Sequence, residues 1–119
     1  MKGRGTMKKI ESIIRPETFQ TLRYNLSQIG INGLTVTEVA GTGKQRGQTG
    51  VYRSTEFQIQ LLSKLKVEMV VEENQLEQII DIILESCNTG NIGDGKIFVS
   101  SIEETIRIRT GERGVEAVM

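Results

Sequence analysis

Two amphipathic helical stripes, each closed by a glycine and each set between runs rich in β-branched residues, restrict this chain more than any other feature. The first stripe, Phe19, Leu22, Leu26 and Ile29, follows Pro16, which suits the opening turn of a helix, and stops at Gly30. The second, Leu76, Ile79, Ile80, Ile83 and Leu84 within Gln75 to Thr89, stops at Gly90, and Glu72-Glu73 supplies first-turn acidity. Ile10 to Arg15 reads as a strand ahead of the first stripe. Leu34 to Val39 reads as a second strand and Ile59 to Val71 as a long third, while Lys96 to Ser100 and Thr105 to Arg109 close the chain as strands. Strand, helix, strand followed by strand, helix, strand is a tandem split βαβ, an α+β ferredoxin-like sandwich. Both helices cover one sheet face. The other face needs a partner, and self-association is its simplest source.

The length of 119 residues gives one domain with one core. Lysine plus arginine equals aspartate plus glutamate at 15 each, so no global field draws the protein onto nucleic acid or an anionic membrane. Any phosphate must therefore be held locally. A single cysteine, Cys87, excludes an internal disulfide and fits a reducing, cytosolic-type compartment. The absence of histidine removes histidine triads, bases and metal ligands. No apolar run approaches the roughly 20 residues of a membrane span, and no signal-peptide core precedes the first strand. Residues 1–6, basic and glycine-containing, read as an extension outside the fold.

Two segments carry the chemistry. Thr89-Gly90-Asn91-Ile92-Gly93-Asp94-Gly95-Lys96 joins a helix end to a strand, with glycines that admit a close anionic ligand and a lysine that reaches a phosphate. As a bare sequence it also fits an ordinary tight turn. Arg107-Ile108-Arg109 would place two guanidinium groups on one strand face, in the fork geometry that grips phosphate, or else simply on a solvated face. From Gly41 to about Gln58 the periodicity disappears, and Gly41, Gly43, Gly47 and Gly50 alternate with Lys44, Gln45, Arg46 and Gln48. A polar excursion of that length is functional or disordered. It is neither a Walker A loop nor a Rossmann glycine turn, although its glycines can form an anion-binding nest. Glu68, with Lys64, Lys66 and Glu38, reads as a catalytic carboxylate group or as edge and interface charges.

From Met7 onward the chain resembles the PII signal transduction proteins. The resemblance runs through Gly33-Leu34-Thr35-Val36-Thr37-Glu38-Val39, Val51-Tyr52-Arg53 and Lys66-Val67-Glu68-Met69-Val70-Val71, then Thr89 to Val99 and Arg107-Ile108-Arg109-Thr110-Gly111-Glu112. It implies a homotrimeric nitrogen, carbon and energy sensor that binds ATP or ADP in clefts between subunits. It also implies a projecting T-loop, about residues 41–58, that engages protein targets. These are an ammonium transporter, N-acetylglutamate kinase or a transcriptional regulator, with no direct nucleic acid contact and no membrane insertion. By position, Ile13, Thr35 and Val70 would cradle adenosine, Gly93, Asp94, Gly95, Lys96, Arg107 and Arg109 would meet the phosphates, and Gly41, Gly43, Lys44 and Gln45 would close the other side. With Mg²⁺-ATP, the effector 2-oxoglutarate would bind at Gly43, Gln45, Arg46, Gly47 and Lys64, with Gln45 as the protein's metal ligand in an all-oxygen shell.

The chain departs from the family pattern at several T-loop positions. Thr42 stands where an aromatic is usual, and Phe57 stands where many members carry the tyrosine that is uridylylated, so that modification is not expected. Thr55 stands where some photosynthetic members carry a phosphorylated serine, and both Thr55 and Ser54 keep a hydroxyl. The resemblance implies a regulatory protein rather than an enzyme, with at most weak ATPase activity. The competing readings are a slow nucleotide hydrolase, a diverged adenylate-only sensor, and an RNA-binding domain. The last conflicts with three Phe, two Tyr and zero net charge.

Overall fold

A computed structural model describes residues 6–44 and 59–118. Strand β1 (Met7–Ile14) leads through a short 3₁₀ turn into helix α1 (Phe19–Ser27). Strands β2 (Thr35–Lys44) and β3 (Ile59–Glu72), helix α2 (Leu76–Cys87) and strand β4 (Gly95–Ile102) follow. The sheet runs β2-β3-β1-β4 with every neighbouring pair antiparallel. This is the ferredoxin-like α+β arrangement expected from the order of elements.

Alternation along β1 explains the layering. Ile10, Ser12 and Ile14 are buried toward the helices, while Lys9, Glu11 and Ile13 take the other face. Leu22 and Leu26 of α1 and Ile79, Ile83 and Cys87 of α2 meet Val67, Met69 and Val71 of β3 over that inner face. Each fully buried leucine or isoleucine there stabilises by about 2 kcal/mol. Ser12 is the exception inside this apolar layer, because its Oγ is buried with no hydrogen-bond partner among the described residues.

The helix ends follow local chemistry. Ile31 N–H bonds back to the Leu26 carbonyl and Gly30 N–H to Ser27, with Gly30 at φ +86°, which together make a Schellman stop. Glu72 caps the second helix in a box with Gln75. The stripe expected to reach Thr89 ends at Cys87, because Asn88 is extended and Thr89 is bound to Asp94 instead.

The structure differs from the sequence expectations at three more places. β2 continues through Lys44, with Gly41 opposite Leu62 and Lys44 opposite Ile59, so the first residues assigned to the long loop belong to a strand ladder. Backbone pairing, which glycine does not prevent, outweighs the loss of side-chain periodicity there. Thr6, assigned to the extension, is tied to the fold, since its carbonyl accepts from Glu73 N–H at 3.0 Å and its hydroxyl donates to the Glu73 carboxylate. Thr105 to Arg109 is not a strand. One bridge, Ile106 to Arg113, closes a small hairpin, and Gly111 N–H returns to the Arg107 carbonyl at 2.7 Å. The alternation of Arg107, Ile108 and Arg109 therefore does not place both guanidinium groups on a strand face.

Candidate functional site

The segment between α2 and β4 is built around one carboxylate. Asp94 Oδ2 accepts from Thr89 N–H at 2.7 Å and Gly90 N–H at 3.0 Å, while Oδ1 accepts from the Thr89 hydroxyl and from Arg15 Nε at 2.9 Å. These donors favour the ionised form. The Thr89 hydroxyl first, and the Arg15 guanidinium next, hold the Asp94 carboxyl well below the usual carboxylate range. Arg15 Nη2 also donates to the Ile92 carbonyl at 2.8 Å, and Lys64 Nζ donates to the Gly93 carbonyl. Cations from β1's end and from β3 thus fasten the loop from both sides. Asp94 accepts all four of the bonds from Thr89, Gly90 and Arg15 and so shapes the loop.

Gly95 closes the loop against β1. It has φ +111°, and a Cβ there would lie 1.7 Å from the Ile13 carbonyl oxygen. Only glycine lets β4 begin in register opposite Ile14. The next residue, Lys96, stands opposite Ile13 on the outer sheet face. The register places Lys64, Thr35 and Val70 on that same face, since Lys64 lies opposite Val39, Thr35 opposite Glu68 and Val70 opposite Lys9. Gly41 and Gly43 follow at alternate positions along β2. Seven of the positions expected to hold nucleotide or effector (Ile13, Thr35, Gly41, Gly43, Lys64, Val70 and Lys96) therefore share one outer face.

Charges fill the middle of this face. Lys9 and Lys66 flank Glu68 at 3.5 and 3.8 Å, and Lys66 also meets Glu11 at 3.6 Å. Glu68 is thus balanced by two lysines. A cavity of about 460 Å³ opens beside Lys64, bordered by Pro16, Glu38, Val39 and Ser63. Behind the loop, Cys87 borders an apolar hollow of about 360 Å³, and burial pushes its thiol pKa up. Among the described residues no group of three or more Cys, Asp or Glu is gathered to hold a metal.

Arg107 and Arg109 lie elsewhere. Gly95 pairs with Ile14 at one end of β1, whereas Ile102 pairs with Met7 at the other, and Thr105 Oγ1 approaches Met7 Sδ at 3.3 Å. Seven residue steps of strand separate the ends by about 23 Å. Arg107 Nη1 donates to Glu112 Oε1 at 2.7 Å and Nη2 to the Glu116 carbonyl at 3.1 Å. Arg109 is exposed. Within one chain, the two segments expected to meet phosphate are not brought together. Gln45, Arg46, Gly47, Ser54, Thr55 and Phe57 lie outside the described residues, as does the side chain of Lys44.

Sequence periodicity gave no sign of Arg15, which looked like the last residue of a strand before Pro16. Thr89 was visible only as a member of the glycine-rich segment, and Glu112 only as the acidic residue after Thr110-Gly111.

Comparison with known proteins agrees with this fold. The pattern described as nitrogen regulatory protein P-II matches residues 7–112. Nitrogen regulatory protein P-II of Microchaete diplosiphon is 52% identical over 112 residues, covering 94% of this chain and all of the relative. That of Pasteurella multocida is 51% identical with the same coverage. Among solved structures, a B. subtilis GlnK-ATP complex superposes with TM-score 0.80 at 37% identity, covering 97% of this chain and 98% of the other. Arabidopsis thaliana PII bound to citrate gives TM-score 0.78 at 38% identity, covering 96% and 91%. The match along nearly the whole length, in sequence and in fold, has one meaning: this chain belongs to the nitrogen regulatory protein P-II family.

Proposed function

We propose that the chain works as a homotrimeric cytoplasmic sensor that binds ATP or ADP in clefts between subunits and regulates protein targets through the loop after β2. The observation that carries this reading is the placement of Lys96 and Arg107 at opposite ends of β1. A phosphate cannot reach both in one chain, whereas a neighbouring copy packed on the outer face can bring its Arg107 and Arg109 to the Gly93–Lys96 loop. Ile13, Thr35 and Val70 then line the adenosine side and Gly41, Gly43, Lys44 and Gln45 the loop side. The ATP carried by the structurally similar GlnK supports a nucleotide in this fold.

With Mg²⁺-ATP bound, 2-oxoglutarate occupies the root of the loop. Lys64 meets its distal carboxylate, and Gln45, Arg46 and Gly47 hold the oxo-acid end. Mg²⁺ is held by Gln45 and by ligand oxygens, a hard all-oxygen shell. The citrate on the Arabidopsis relative supports a carboxylate-bearing ligand. Because nucleotide and oxo acid complete each other's sites, a coupling of about 1 to 3 kcal/mol is enough to bias the loop between target-binding and non-binding forms. Thr55 and Ser54 are the loop hydroxyls assigned as candidates for modification.

Calorimetric titration of 2-oxoglutarate with Mg²⁺, in the presence of no nucleotide, ATP or ADP, tests the reading alongside light scattering. Saturable binding to a trimer only with Mg²⁺-ATP is expected. Nucleotide binding without any 2-oxoglutarate response would instead make this an adenylate-only sensor, with Thr42 as the first residue to restore to an aromatic.

A further inference from the structure

We propose that Glu112 is a built-in competitor for Arg107, so that an incoming phosphate must displace a carboxylate of the chain itself. The inference rests on the reading of Arg107 as a phosphate contact. Arg107 Nη1 donates to Glu112 Oε1 at 2.7 Å, a charge-assisted contact of the kind a phosphate oxygen would make. The backbone fixes this pairing. Arg107 N–H donates to the Glu112 carbonyl at 2.9 Å, Gly111 N–H closes the turn on Arg107, and Ile106 bridges to Arg113. Glu112 is aimed by Thr110, whose hydroxyl donates to Oε1 at 3.0 Å and accepts from Glu112 N–H at 3.1 Å.

The pair is nevertheless partly open to solvent, with side-chain exposures of 30% for Arg107 and 44% for Glu112. It is therefore held firmly enough to occupy Arg107 and accessible enough to be displaced. An exposed pair of this kind is weak, so the competition changes affinity by a small factor and does not block the site. Its effect is a threshold: polyanionic ligands exchange with Glu112, and weakly charged ones do so less readily. Glu112 thus sets how much anionic charge a ligand needs to engage Arg107.

The test compares ATP affinity in the parent protein, the Glu112→Gln and Arg107→Ala variants, and the double variant, with thermal melting to confirm folding. Glu112→Gln keeps the side chain's size and an acceptor oxygen while removing its charge. It is expected to tighten ATP about threefold, the scale of an exposed ion pair, and this gain is expected to vanish in the Arg107→Ala background. Looser or unchanged ATP binding in Glu112→Gln, with Arg107→Ala clearly weakened, would overturn the proposal by making Glu112 a positioning or neutral group. A gain that persists without Arg107 would overturn it as general charge relief. If Arg107→Ala itself leaves ATP unchanged, the assignment of Arg107 fails, and the competitor role of Glu112 fails with it.

Discussion

The Gly95 α-carbon packs so closely on Ile13 that a methyl group in place of its hydrogen would fall 1.7 Å from the Ile13 carbonyl oxygen. The contact is backbone against backbone, with φ at +111°, so side-chain rearrangement cannot relieve it. Gly95→Ala should therefore destabilise the fold by at least about 2 kcal/mol, adding steric overlap to a strained backbone. Urea unfolding at fixed protein concentration measures this. A midpoint equal to that of the parent protein would mean that the loop enters β4 by another path.

Asp94 should matter through the loop that it shapes. Asp94→Asn keeps the side chain's size but loses the charge-assisted bond from Arg15 and weakens those from Thr89 and Gly90. Nucleotide affinity is expected to fall about tenfold with the fold retained, and Arg15→Ala should reproduce most of the loss. The pH dependence has a definite sign. The folded-state pKa of Asp94 is depressed, so its contribution is fully present above the ordinary carboxylate pKa and disappears only as pH falls well below that range. Between about pH 5 and 8 this group should leave stability flat. A step in that window removed by Asp94→Asn would contradict the assignment.

The buried Ser12 hydroxyl adds a desolvation cost to the core. It lies between Val67 and Ile97 in the sheet register, with no partner for Oγ among the described residues. Ser12→Ala should raise stability by about 1 kcal/mol, since it removes an unsatisfied polar atom and leaves only a small void. Chemical denaturation of the two proteins side by side checks the sign. A loss of stability would reveal a hydrogen bond that Ser12 makes in solution.

How far the sequence could be read depended on whether the controlling interaction was local. Leu22, Leu26, Ile79 and Ile83 repeat at helical spacing because one helix side faces the sheet, and Gly30 marks a stop that three residues can encode. β2 past Val39 was not legible, because Gly41 to Lys44 are held by pairing with β3, more than ten residues away, and carry no alternation of their own. Arg107 and Arg109 alternated like a strand, but the turn at Gly111 and the Glu112 contact pulled them into a hairpin. The candidate site was legible only as residue types at a given spacing. Its anchors were not, because Arg15 and Lys64 reach the loop from other strands.

The central claim is that each nucleotide cleft takes its loop lysine from one subunit and its arginines from another. Mixing subunits tests it directly. Lys96→Ala and Arg107→Ala proteins are each expected to bind ATP weakly as homotrimers. Unfolded and refolded together, they form mixed trimers in which one cleft combines an intact Lys96 with an intact Arg107 from its neighbour. The account predicts recovery of parent-like ATP affinity at about one site per mixed trimer, read by calorimetry on trimers purified with two different tags. Mixed trimers that bind no better than either parent variant would contradict it and return the site to a single chain.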